Sequence, residues 1–140
     1  MTPDSAHLRD FATRYAAAWC SQNPESVAAF YAPSASLTIN SGTPAIGRAA
    51  ITESAHAFMS TFPDMVVVFD ELAIASPSVE FHWTLTGTNT GPGGTGHRVH
   101  ISGLESWQFG SDGLIAKSLG HFDAEEFQHQ LDHGTGSTRS

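Results

Sequence analysis

The sequence predicts an α+β fold, with helices packed on one face of a curved, mostly antiparallel sheet. Three observations carry that prediction. Apolar residues recur at the 3.6-residue period through most of the first 62 positions. From residue 65 to 122 the pattern changes to period two, and a last helical stretch follows. The resulting order is α-α-β-α-β-β-β-β-α, a run of helices followed by a run of strands.

Residues 5–22 form the first expected helix, because Leu8, Phe11, Ala12, Tyr15, Ala18 and Trp19 fall on one stripe. "NP" at 23–24 ends it and starts a second, with Asn23 as N-cap and Pro24 at the first helical position. This second helix is short, carries Val27, Phe30 and Tyr31, and stops before Pro33. "ASLTIN" (35–40) alternates as a strand and the turn-rich "SGTPAIG" follows. Residues 48–62 make a third helix with Ile51, Ala55, Phe58, Met59 and Phe62 on one side. After "FPD", strands are expected at about 65–75, 78–89, 97–109 and 114–122, stretches rich in β-branched and aromatic residues. "GSDG" (110–113) reads as a hairpin turn and "TGPGGTG" (90–96) as a longer connection. Asp123 caps a last helix, "DAEEFQHQL", so one domain spans 1–133, and 134–140 is a frayed tail.

Bulk properties narrow the function. A chain of 140 residues can bury roughly two-thirds of its unfolded surface in one domain. The net charge is −8 and the six Lys and Arg are scattered, so the clustered positive footprint of a nucleic-acid binder is missing, and an anionic membrane surface is disfavoured likewise. No apolar run approaches the ~18 residues of a membrane span, and "MTPDSAHLRD" lacks the layout of a signal peptide. The single cysteine, Cys20, excludes an internal disulfide. A cytoplasmic protein is the expectation.

One residue stands out chemically. In "SGLESWQF" (102–109), strand parity puts Gly103, Glu105, Trp107 and Phe109 on the face that should be buried. A carboxyl group among aromatics has its pKa raised, since burial penalises the charged form, and kept neutral it can donate a proton. Trp83 and Trp107 lie mid-strand on the expected inner faces, while His82 and His100 belong by parity to the outer one. His129 and His133 have i,i+4 spacing but no convincing third ligand, and "GPGGTG" lacks the following helix of a phosphate loop. No metal is expected.

"RYAAAW", "FYAPSASL", "FPD", "WTLTGTNTG" and "DGLI…HFD…QL", taken in order, resemble the SnoaL-like domains of the nuclear transport factor 2-like (NTF2-like) superfamily, over roughly Leu8 to Leu131. The resemblance implies a cone: a bent sheet around helices, with a deep, mostly apolar pocket, and it suggests a homodimer. Within it, the polyketide cyclases and ketosteroid isomerases imply specific positions. Tyr15 matches a helix tyrosine and Glu105 a strand acid that donate hydrogen bonds to a developing oxyanion. The isomerases' basic aspartate falls at Ile39, beside Asn40. The aspartate of the last strand falls at Gly120, beside His121. Those departures leave no known active site intact, so a base must come from elsewhere, and His121 is a candidate.

The expected function is therefore an acid–base enzyme, an isomerase, cyclase or dehydratase without metal or organic cofactor, acting on a small apolar metabolite. Glu105, Tyr15 and His121 are the candidate catalytic residues. Trp19, Asn40, Phe58, Met59, Phe62, Trp83 and Trp107 are the candidate pocket. The alternative is a non-catalytic ligand-binding or dimeric assembly module of the same fold, which the missing base favours.

Overall fold

The first helix forms where its apolar stripe places it. In the computed structural model, which describes residues 5–75 and 78–135, α1 spans Ser5–Cys20 and buries Leu8, Phe11, Ala12, Tyr15 and Trp19. It ends two residues before position 22 because Gln22 takes a left-handed conformation (φ 60°), which a helix cannot continue. Asn23 then caps α2 (Pro24–Ala28) by accepting from Glu25 N–H at 3.2 Å.

Tyr31 is not helical; it opens strand β1 (Tyr31–Ile39). Pro33 interrupts the pairing instead of a helix: the partnering of β1 slips between Tyr31 and Ser36, and a residue without an N–H fits such an irregularity. A two-residue strand, β2 (Ala45–Ile46), pairs antiparallel with β1 inside what the sequence shows only as turn residues. The remaining elements follow the expected order: α3 (Arg48–Thr61), β3 (Val66–Ala75), β4 (Ser78–Thr88), β5 (Arg98–Phe109), β6 (Ile115–Phe122) and α4 (Ala124–His133). Asp123 caps α4 by accepting from Glu126 N–H at 3.0 Å. The link 76–77 and the tail from residue 136 on lie outside the described residues.

The six strands form one curved, unclosed sheet in the order β2-β1-β6-β5-β4-β3. Every pairing is antiparallel except β1 with β6. Register settles which side chains share a face. Glu105 lies opposite Phe81 on β4 and Gly120 on β6, and Trp107 lies opposite Val79 and Ser118. These residues turn inward, toward α1, and the next residues along each strand turn outward. No described helix is long and apolar enough to cross a membrane.

Candidate active site

Period two along β5 carries Glu105 into the core, where the residue is 7% exposed. A carboxyl group there needs donors, and four elements deliver them to a single oxygen. Oε1 accepts from Ser118 Oγ of β6 at 2.8 Å, Tyr15 Oη of α1 at 2.9 Å, Trp107 Nε1 of β5 at 3.1 Å and Tyr31 Oη of β1 at 3.2 Å. The two phenol oxygens also lie 2.7 Å apart. No described residue hydrogen-bonds to Oε2, and Glu105 is a wall residue of the internal cavity.

Electrostatics follow from that arrangement. Burial pushes the Glu105 carboxyl above its ordinary value; Ser118, Trp107 and the two tyrosines pull it back without cancelling the shift. Tyr15 and Tyr31 are pushed well above the ordinary phenol range, first by burial and next by the negative charge of Glu105. Both phenols therefore stay neutral donors at physiological pH. With Oε1 crowded by donors, a proton carried by the carboxyl belongs on Oε2. The group is anchored through one oxygen, and the other is without a hydrogen bond among the described residues.

The cavity beside it is small and greasy. It holds about 60 Å3, room for a few waters or a compact organic group, where a deep pocket is expected from the sequence. Phe81 and Trp107 stack at 4.9 Å, and such ring packing fills much of the cone. Trp19, Phe58 and Trp83 stand in the wall with Glu105, as do Ile39 and Gly120. Met59 and Phe62 are buried in the core outside that wall. Tyr15 and Trp107 stand behind Glu105, touching its anchored oxygen.

Asn40 occupies the turn after β1 in a left-handed conformation (φ 53°), its side chain accepting from Phe122 N–H at 3.0 Å. His121 is exposed and lies opposite Leu104, on the outer face; β6 keeps its register there, so Gly120 is the inward residue. Tyr31 and Ser118 are the donors that sequence reasoning missed. Ser118 shares the parity of Gly120 on β6, a usable signal. Tyr31 had none once it was read as helical. Among the described residues, no group of three His, Cys, Asp or Glu is placed to hold a metal ion.

Comparison with known proteins fits this geometry. A search of curated proteins finds no match to the sequence. Solved structures match as folds. A protein of ketosteroid isomerase-like fold from Catenulispora acidiphila, in complex with trimethylamine, superposes with TM-score 0.77 at 15% identity, over 93% of this chain and 98% of its own. TsrD from Streptomyces laurentii gives 0.78 at 18%, over 93% and 98%. SalBIII, described as an epoxide hydrolase/cyclase-like enzyme in pyran ring formation of the polyether salinomycin, gives 0.75 at 14%, over 88% and 95%. At such identities the likeness is one of architecture, the NTF2-like cone. The model of the SnoaL-like domain matches residues 12–118, most of the chain, and this protein belongs to that family.

Proposed function

We propose that this chain is a cofactor-independent acid–base enzyme that moves a proton on a small, largely apolar metabolite. The reaction class is isomerisation, cyclisation or dehydration through an enolate-like intermediate. One observation carries the reading: the lopsided hydrogen bonding of Glu105, a wall residue of an apolar cavity, with Oε1 held by four side chains and Oε2 by none of the described residues. A carboxyl raised by burial is a better base when ionised and a usable acid when protonated, so one residue can take a proton and return it. Tyr15, with Tyr31, Ser118 and Trp107, orients that carboxyl. His121, on the outer face, has no part in this reading.

The volume of the cavity favours a second reading, a binding or assembly module whose cone is mostly occupied by its own rings. A further copy of the chain is the macromolecular partner we propose; Val66 and Val68, exposed on the outward side of β3, are consistent with it. The two functional readings separate in deuterium oxide. Exchange of the α-hydrogens of cyclohexanone should be accelerated by the wild type and fall at least about 100-fold in Glu105→Gln. Binding of the ketone without any protein-dependent exchange would leave the module standing.

A further inference from the structure

The outward face of the sheet is open, with Val68, Glu71, Ser102 and His121 all exposed on it. Strand register orders its side chains into rows. One row runs Glu71 on β3, His82 on β4, Leu104 on β5 and His121 on β6. The next outward row runs Ala73, Glu80, Ser106 and Leu119 across the same strands. The acids of this face, Asp70, Glu71 and Glu80, stand on β3 and β4. Its bases, His100, Lys117 and His121, stand on β5 and β6, with His82 the exception.

Three of these groups are met within the chain. Asp70 accepts from Thr84 Oγ1 at 2.6 Å, and Glu80 lies 3.3 Å from His82 Nε2. Glu71 and His121 differ. They end one row on opposite sides, and neither has an ion pair or side-chain hydrogen bond among the described residues.

The pattern is complementary to itself. A two-fold axis along the strand direction, midway between β4 and β5, sets β3 against β6 and β4 against β5 of a facing copy. Every row then faces its own reverse. Glu71 meets His121 of the second copy, His82 meets Leu104, Ala73 meets Leu119 and Glu80 meets Ser106. An axis across the strands would set β3 against β3 and oppose like charges. Packed sheets lie about 10 Å apart, a gap that Glu and His side chains span together.

We propose that two copies pack through this face about that axis, and that protonation of His121 tightens the pair by giving Glu71 of the other copy a cation. This rests on the second copy named above as partner, and adds the axis, the contact and its control by pH. Each dimer holds two such pairs, so it takes up protons as it forms, in the range where histidines ordinarily titrate. The surroundings of His121 keep that sign. Leu104 on β5 and Asn40 after β1 are uncharged, and Asp123 and Glu125, at the start of α4, are present in the single chain too. The facing β3 adds only acids, Asp70 and Glu71.

Sedimentation of the wild-type protein at constant physiological salt should show self-association that tightens about tenfold from about pH 8 to about pH 6, where carboxylates stay ionised. Glu71→Gln and His121→Gln should each associate as the wild type does at the higher pH and gain at most about twofold at the lower. Glu71→Lys combined with His121→Glu keeps an opposite pair charged throughout, so it should associate as tightly at both pH values as the wild type does in acid. Both residues are exposed, so these variants leave the core untouched. A wild-type dimer indifferent to pH would overturn the proposal and leave the second copy as partner. Equal tightening in the wild type and both single variants would overturn it too, since acid shrinks the net charge of −8 in every case. So would a swapped pair that associates no better than the single variants. No association at any pH, up to the solubility of the protein, would remove partner and switch together.

Discussion

Tyr15 and Tyr31 hold two hydroxyl protons between them for three short contacts, one to each other and one each to Glu105 Oε1. With the carboxyl ionised, one of the three is always without a proton, so each phenol can stand in for the other. Tyr15→Phe or Tyr31→Phe alone should therefore cost little, about 1 kcal/mol. The double variant removes both and should cost more than the sum, with a coupling of about 0.5–3 kcal/mol measured by urea unfolding. Strict additivity would show that the pair does not share its protons. Ser118→Ala has no such stand-in and should cost about 1.5–3 kcal/mol, the range for a hydrogen bond to a charged group. Three of the five side chains of this cluster were legible in the sequence. Glu105 and Trp107 follow from strand parity and Tyr15 from the helical stripe. Tyr31 does not, because local pattern joins "FYAP" to the preceding helix, and only pairing with β6, more than eighty residues later, makes it a strand.

At the scale of elements, two glycines show where the strands are packed to their limit and where they are not. A Cβ at Gly103 on β5 would lie 2.5 Å from His121 O and 2.7 Å from Trp83 Cζ2, a clash with backbone that rotamers cannot relieve. At Gly120 on β6 the nearest atoms would be Thr38 O at 3.6 Å and Glu105 Cγ at 3.8 Å, ordinary contact distances. Gly103→Ala should thus lower stability by about 1–3 kcal/mol, while Gly120→Ala should fold normally and act only by narrowing the cavity. Thermal melts of the two variants side by side test this; equal losses would contradict the inward geometry of Gly120. Element order and strand faces were readable because period and parity are local properties. The two-residue β2 and the exact end of α1 were not, since the first is set by contact with β1 and the second by one left-handed residue, Gln22.

For the molecule as a whole, the buried carboxyl ties four elements into one cluster and leaves a signature in stability against pH. Glu105 has a raised value in the folded chain, so above about pH 4.3, the ordinary value for Glu, the unfolded chain releases this proton while the native one retains it. Its contribution therefore falls as pH rises through that window, and becomes constant once the native carboxyl has ionised too. Asp64 runs the other way: hydrogen bonds from Thr88 N–H and Oγ1 lower it, so its stabilisation is present at neutral pH and lost in acid. Being exposed, it contributes little. Tyr15 and Tyr31, raised by burial, add a further loss only near and above about pH 10. Subtracting a variant isolates the one group of interest. Glu105→Gln keeps an acceptor oxygen for the four donors and cannot ionise, so its Tm relative to wild type should climb from about pH 4 and level off above the native ionisation, whatever the other groups do. Parallel Tm curves for the two proteins between about pH 4 and 9 would mean that the carboxyl titrates as it does in water, and a Glu105 of that kind could not serve as the buried proton carrier.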